Sequence, residues 1–131
     1  MSTRDEGARY ESIVCRYLEE NGYTVTTRNY YPGGGLHGEI DIICEDEKYI
    51  VFAEVKARSD NEIQRKRYGR PANAVGMKKR QNIISAANDY LRKNPTGKQP
   101  RLDIVEVIVY THDGGMKSFK INHIKNAFAA G

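Results

Sequence analysis

The stretch HGEIDIICEDEKYIVFAEVKAR, residues 37–58, places charged side chains inside two runs that are otherwise typical of buried strands. Asp41 interrupts the first run, and Glu54 and Lys56 interrupt the second. Burial of an unpaired charge is costly, so a strand that faces a core seldom keeps such residues without a partner or a function. These two strands therefore decide the fold and indicate where to look for chemistry.

The short polar turn at residues 46–47 predicts that the two strands form an antiparallel hairpin. Because successive strand residues point to opposite faces, Glu54 and Lys56 share one face, and Asp41 shares one with Glu39. With a two-residue turn, Glu39 lies directly opposite Glu54, and Asp41 lies diagonally from it at roughly 7–8 Å. We expect the carboxylates of Asp41 and Glu54 to lie close enough to share one divalent cation.

A hard cation such as Mg²⁺ or Mn²⁺ prefers oxygen ligands and keeps several of its waters. Held by Asp41 and Glu54, it could generate hydroxide near neutral pH and stabilise charge on a phosphorus centre under attack. Lys56 would stand beside the attacked phosphate as a cation or would orient the water. The alternative is a structural ion-pair network. The tripeptide E-x-K is a weak signal alone, but here it lies in an apolar strand with a second acid in the preceding strand.

The flanking sequence predicts an α/β arrangement, a mixed central sheet flanked by helices in the order α-β-β-β-α-β. In the first helix, Glu11 falls within the apolar sector and should point towards the fold. Glycines and a proline in residues 31–38 predict a loop before the hairpin. The predicted elements are a helix over 4–23, strands over 23–30, 39–44 and 48–57, a helix over 72–94, an interior strand over 101–110, a short edge strand over 116–121 and a short helix over 122–128.

Basic residues are concentrated directly after the second hairpin strand. Residues 56–80 contain nine Lys and Arg against two acidic residues, a local charge of +7 in a chain whose net charge is +4. Such clustering is typical of a polyanion partner, although a solvated loop and helix face would also explain it. The candidate nucleic-acid-binding residues are Arg58, Arg70, Lys78, Lys79 and Arg80.

Length and composition favour one domain over residues 1–131, with an ordinary hydrophobic fraction of 39%. The first ten residues contain no apolar segment of the kind a secretory signal needs, and no apolar run approaches ~20 residues. We therefore expect a soluble cytoplasmic protein with no membrane partner. Cys15 and Cys44 have no zinc-binding spacing and are predicted to be core residues.

The arrangement of Glu11 in a first helix, GEIDII in one strand, FAEVKAR in the next and a helix beginning AVGMKKRQNI resembles the PD-(D/E)XK nuclease superfamily. Within it, the chain is most similar to the bacterial YraN family of endonuclease-like proteins, relatives of archaeal Holliday-junction resolvases. The likeness runs from about residue 7 to 109 and includes GRPANAV and RLDIVEV.

This resemblance implies a restriction-endonuclease-like core with Asp41 and Glu54 as metal ligands. It also implies Lys56 as the catalytic lysine and Glu11 as an auxiliary catalytic acid. Lys79 occupies the position of the family's helix-borne basic residue. The implied cofactor is Mg²⁺ or Mn²⁺, and the implied partner is nucleic acid.

The leading hypothesis is metal-dependent hydrolysis of DNA phosphodiesters by an endonuclease that selects branched or other non-B-form structures. The basic segment would hold the backbone without reading sequence. A nucleic-acid-binding module of the same fold with little or no catalysis is the alternative, and a scaffold with structural carboxylate pairs is a third. Cleavage of two strands at a junction would suit a twofold homodimer, although the sequence shows no interface.

Several residues keep open interpretations. Glu39 either supports the metal ligands or pairs with an arginine, and Lys79 either contacts a phosphate or extends from the core to solvent. Among nine tyrosines, the candidates for base stacking lie in or beside predicted loops, and His112 and His123 are expected at the surface. These tyrosines are Tyr30, Tyr31 and Tyr68.

Overall fold

The computed structural model describes residues 3–60 and 76–128, with side chains from residue 6 onward. Two helices, α1 and α2, and five strands, β1 to β5, make up the regular structure of these residues. Their bounds are α1 Thr3–Glu20, β1 Thr24–Tyr30, β2 Ile40–Glu45, β3 Tyr49–Ser59, α2 Met77–Lys93, β4 Gln99–Thr111 and β5 Lys117–Ile124, with a short 3₁₀ turn at Asp113–Gly115.

The strands form one mixed sheet in the order β1-β2-β3-β4-β5. β1, β2 and β3 are antiparallel neighbours, β3 and β4 run parallel, and β5 returns antiparallel to β4. A parallel pair needs a crossover connection, and α2 lies within the one that joins β3 to β4. The predicted α/β class and mixed sheet flanked by helices are confirmed, and the arrangement is consistent with a restriction-endonuclease-like core.

The sheet has an apolar layer on each face. Val14 and Leu18 of α1 pack on one face against residues such as Val105, whereas Ile83 of α2 packs on the other against Phe52. Since β2, β3 and β4 are covered on both faces, they read as nearly continuous apolar runs. Some charged residues of these strands are therefore buried, among them Glu54, Arg101 and Glu106.

A buried polar network ties β4 and β5 to the end of α1. Asp103 accepts two hydrogen bonds from Arg101, and its Oδ2 lies 2.7 Å from Nε2 of His123. The other ring nitrogen of His123 lies 2.9 Å from the hydroxyl of Tyr17, and Arg101 also donates to Tyr23. His123 is thus buried, and the prediction that it lies at the surface is wrong.

The C-terminal part of the chain differs from its prediction. The expected helix over residues 122–128 is wrong, because β5 continues to Ile124 and a turn follows. Phe119 and Ile121 are half-buried while Lys120 and Asn122 are exposed, which is the alternation of a strand with one covered face.

Both cysteines, Cys15 and Cys44, are free and buried, as predicted for core residues. Among the helices that the structure describes, none combines the length and the apolar character needed to span a bilayer.

Candidate active site

The β2–β3 hairpin brings Asp41 next to Glu54. The register pairs Ile42 with Ala53, and continuing it by one pair places Asp41 opposite Glu54. Asp41 also accepts a hydrogen bond of 2.8 Å from the backbone N–H of Val55, which holds its carboxylate against the backbone of β3. The prediction that these two acids lie close together is confirmed.

The hairpin register differs from the one predicted, in which Glu39 faced Glu54. The Asp46 carboxylate accepts hydrogen bonds from the backbone N–H groups of Lys48 at 2.8 Å and Tyr49 at 2.6 Å. This Asx-type turn closes the hairpin further along the chain than a turn at residues 46–47 would. The shift makes Asp41, rather than Glu39, the direct neighbour of Glu54.

Glu54 is only 6% exposed, in a position that disfavours its charge. Burial raises the pKa of Glu54 to about 9, and its hydrogen bond with Asp41 and the negative charge of Asp41 act in the same direction. The positive charges of Lys79 and Lys56 oppose this rise without cancelling it. At neutral pH Glu54 therefore carries the proton of its hydrogen bond with Asp41 when no further cation is present.

Asp41 belongs to a second cluster of acidic residues in addition to its pair with Glu54. One carboxylate oxygen each from Glu11, Glu39 and Asp41 lies within 4.8 Å of the others, and all three residues are half-buried. Glu11 reaches this cluster from α1, on the other side of the sheet from α2. The prediction that Glu11 points towards the fold is confirmed, and Glu39 belongs with the carboxylates.

The contacts of Glu11 with described residues offset its burial only in part. Its Oε1 atom is buried without a hydrogen-bond partner among them, and the Arg28 guanidinium lies 3.7 Å from it. Burial, followed by the charge of Asp41, raises the pKa of Glu11. Carboxylate oxygens arranged in this way are the ligands that Mg²⁺ and Mn²⁺ prefer. Glu11, Glu39, Asp41 and Glu54 are the described residues that could hold such an ion.

Gly38 allows the loop before β2 to lie against α2. Its φ angle is +107°, and a Cβ atom there would lie 2.9 Å from both the Cβ and the carbonyl oxygen of Asn82. Glycine is the residue that adopts this conformation at this separation without strain. The close approach forms one wall of a cleft of about 380 Å³, lined by Gly38, Glu39, Asp41, Glu54, Lys78, Lys79, Asn82 and Ile83.

Three lysines surround this cleft or its acids. Lys79 places its Nζ atom 3.6 Å from Oε2 of Glu54 while remaining about half exposed. Lys78 is exposed at the cleft, and Lys56 is half-buried two residues beyond Glu54 in β3. The structure thus brings the predicted acids together with Lys56, Lys78 and Lys79.

Arg58 and Arg80, which were also predicted to bind nucleic acid, do not line this cleft. Arg58 is 7% exposed, and its Nε atom lies 2.8 Å from Oε2 of Glu106. Its guanidinium thus belongs to a buried ion pair between β3 and β4. Arg80 is half-buried over the ring of Phe128, 5.7 Å from its centroid. Arg70 lies outside the described residues.

Sequence reasoning left out Arg28, Gly38 and Asn82. Gly38 carried a signal, since a glycine at the entry to a strand often marks a close backbone approach. The Arg28 and Asn82 contacts depend on how α1 and α2 sit on the sheet, and the local sequence does not encode them.

Comparison with known proteins identifies the family. The profile described as "Uncharacterised protein family UPF0102" matches residues 10–107. A UPF0102 protein of Clostridium beijerinckii is 36% identical over 126 residues, covering 95% of this chain and 94% of that protein. A UPF0102 protein of Chlorobium chlorochromatii is 38% identical over 128 residues, covering 97% and 93%. One from Clostridium kluyveri is 41% identical over 126 residues, covering 95% and 94%. The chain therefore belongs to the uncharacterised protein family UPF0102, the YraN family that its sequence resembles.

Proposed function

We propose that this protein is a Mg²⁺- or Mn²⁺-dependent phosphodiesterase that acts on DNA, as a structure-selective endonuclease of the PD-(D/E)XK type. One observation carries the proposal: half-buried and buried carboxylates converge on Asp41 beside the lysines of an open cleft. Four acids lie in this small volume. Burial, followed by the negative charge of Asp41, raises the pKa of Glu11, and burial, followed by the hydrogen bond and charge of Asp41, raises the pKa of Glu54.

The residues present fit a divalent cation. The buried Oε1 atom of Glu11 lacks a hydrogen-bond partner, and Asp41 lies between Glu11 and Glu39 on one side and Glu54 on the other. Asp41 and Glu54 would hold the metal, with Glu11 and Glu39 as additional ligands or as acceptors for its waters. A bound Mg²⁺ or Mn²⁺ would supply hydroxide near neutral pH and offset charge on the attacked phosphate.

The lysines of the cleft have distinct positions and therefore distinct proposed tasks. Lys56 shares a strand face with Glu54 and would hold positive charge beside the phosphate or orient the attacking water. Lys79 neutralises Glu54 in part and can turn to a phosphate, since its side chain is about half exposed. Lys78, exposed at the rim, would contact a neighbouring phosphate.

DNA is the proposed substrate because basic residues are concentrated in the sequence around Lys78 and Lys79. Four of the nine Lys and Arg of residues 56–80 fall in residues 61–75, shortly before these two lysines in sequence. A polyanionic backbone is the partner that such a distribution attracts over long range. No base-reading motif occurs in the sequence, so selection of substrate by structure fits better than selection by sequence.

A cleavage assay tests the proposal. Labelled single-stranded, duplex, flap and four-way-junction DNAs, with RNA for comparison, are incubated with Mg²⁺, Mn²⁺ or chelator. We expect metal-dependent products, and losses of about 100-fold or more for Glu54→Gln and for Lys56→Ala. Glu47→Gln and Lys48→Ala, which change the same residue types in the hairpin turn, are the matched controls and should cleave normally.

Two other results would argue against this function. Salt-sensitive binding without products, unaffected by either substitution, would favour the alternative of a nucleic-acid-binding module with the same fold. The absence of both binding and cleavage across the panel would contradict the proposal altogether.

A further inference from the structure

Tyr30 ends β1 and Tyr31 follows it, and the side chains of these two tyrosines project to opposite faces of the sheet. The hydroxyl of Tyr30 donates a hydrogen bond to the buried Asp89 carboxylate, and its ring meets that of Tyr90 edge to face with centroids 5.2 Å apart. These contacts are on the α2 side of the sheet, and they give Tyr30 a structural role. Because side chains alternate along an extended chain, Tyr31 projects to the α1 side.

Tyr31 lies beside the acidic cluster and is 66% exposed. It lines a second cleft of about 520 Å³ whose other lining residues include Glu11 and Glu39, two of the clustered acids. Gly7 and Ala8 of α1 also line this cleft, and their small side chains leave it open. An exposed aromatic ring is thus held at the edge of the proposed catalytic centre.

The chemistry of this second cleft selects for an uncharged, flat ligand. Its acids repel a phosphate unless a cation intervenes, whereas a nucleobase carries no charge and presents a π-face to an aromatic ring. The distance along one DNA strand from a phosphate to its own base is short, so a base next to the cleaved phosphate could reach Tyr31.

We propose that Tyr31 stacks on the base of an unpaired nucleotide of the DNA substrate, adjacent to the phosphate at the acidic cluster. The inference rests on the proposed function and narrows its substrate class. Extracting a base from an intact duplex costs at least as much as one stacking contact returns, whereas a single-stranded, flap or junction base is already available. Tyr31 therefore favours substrates with unpaired nucleotides over uninterrupted duplex.

Equilibrium binding in Ca²⁺ tests the role of Tyr31, because Ca²⁺ also takes carboxylate oxygens and offsets the repulsion between the acidic cluster and the phosphate; a gel checks that the DNA stays intact. Fluorescence anisotropy is measured for labelled flap DNA and for blunt duplex DNA. We expect Tyr31→Ala to bind the flap about tenfold more weakly, Tyr31→Phe to bind it as the wild type does, and duplex binding to change less than twofold in both. Met116→Ala, which removes another exposed apolar side chain far along the chain, should change neither.

Replacing the unpaired nucleotides one at a time by abasic sites completes the test. An abasic site at the position of the stacked base should weaken binding by the wild type about tenfold. The same abasic site should not weaken binding by Tyr31→Ala any further, because the base and the ring interact with each other. Additive losses at every position, or equal loss on flap and duplex, would overturn the inference. Since binding is measured on intact DNA without Mg²⁺ or Mn²⁺, this result is separate from metal-dependent cleavage and its loss in Glu54→Gln.

Discussion

At the scale of single residues, Glu54 best illustrates how a functional acid opposes the stability of its own fold. It lies between apolar neighbours in β3, and Asp41 across the hairpin adds a like charge. Its raised pKa means that the folded state holds a proton that the unfolded chain releases. Active-site groups often carry such a stability penalty.

We predict that Glu54→Gln stabilises the metal-free protein. The pKa of Glu54 rises from 4.5 to about 9 on folding, so its contribution to stability is complete below pH 4.5 and is lost as the pH rises towards 9. Glutamine keeps the shape without the charge, and at pH 8 the free energy of unfolding should increase by about 1–3 kcal/mol. Thermal unfolding in chelator, followed by circular dichroism between pH 5 and 9, measures the difference.

The pH dependence of the melting temperature provides the control within that experiment. The advantage of Glu54→Gln over wild type should grow from pH 5 to pH 9, whereas Glu47→Gln in the exposed turn should show no such trend. A melting temperature lowered by Glu54→Gln at every pH would instead identify Glu54 as a structural ion-pair partner of Lys79.

Single residues were predictable where their type conflicted with the surrounding pattern. Asp41 and Glu54 stood out because each interrupts an apolar strand. Glu39 stayed ambiguous because it lies at a strand end, where a carboxylate can turn to solvent. Arg58 looked like part of a basic surface, and its pairing with Glu106 depends on the β3–β4 register, which has no local sequence signal.

At the scale of elements, the loop before β2 sets how the acids are presented. Gly38 combines a φ of +107° with contact against the backbone of Asn82 in α2. The loop therefore enters β2 along one path, and this path fixes the positions of Glu39 and Asp41. The helix that carries Lys78 and Lys79 is positioned by the same contact.

We predict that Gly38→Ala destabilises the protein and reduces cleavage. A methyl group would lie 2.9 Å from the carbonyl oxygen of Asn82, and alanine resists the required φ, so the loop and α2 must separate. We expect a loss of about 2 kcal/mol or more in the free energy of unfolding, measured by urea denaturation. Gly33→Ala, in the same loop with open space and an ordinary φ, is the matched control and should change stability by less than about 0.5 kcal/mol. Equal stability of the two variants would contradict this account.

Helices and strands could be predicted where the spacing of apolar side chains along the sequence was clear. The helix α1 and the strands β1 to β4 follow from periodicity and turn residues, with ends within a few positions. The register of the hairpin was missed because it depends on side-chain hydrogen bonds of Asp46 within the turn. The end of β5 was missed because residues 122–128 are too short to separate helix from strand by period, and pairing with β4 decided the outcome.

At the scale of the whole molecule, charge is distributed unevenly. A local +7 over residues 56–80 adjoins an acidic centre, while the rest of the chain carries a net −3. Such a distribution would attract the proposed DNA substrate over long range and leave local contacts to position it. The intervening helix explains why β3 and β4 pair in parallel, and the edge strand predicted over residues 116–121 is confirmed as part of β5 at the sheet edge.

We predict that binding of junction or flap DNA weakens steeply with salt. Each neutralised phosphate should add about −0.9 to the slope of log K against log salt concentration, and several contacts should give a slope steeper than about −2. Lys78→Ala should reduce the steepness by about one unit, because Lys78 is exposed at the cleft. Lys48→Ala, in the hairpin turn, is the control; salt-independent binding would count against a backbone-contacting interface.

The Asx-type turn at Asp46 also limits how genes of this family can change in length. An insertion of one codon between Glu45 and Ile50 would slip β2 by one position against β3 and turn Asp41 to the opposite face from Glu54. An insertion in the loop over residues 31–37 would not shift this register, since the loop precedes the hydrogen-bonded pairing of β2 with β3. Insertions and deletions among relatives should therefore accumulate in that loop and be absent from the hairpin turn.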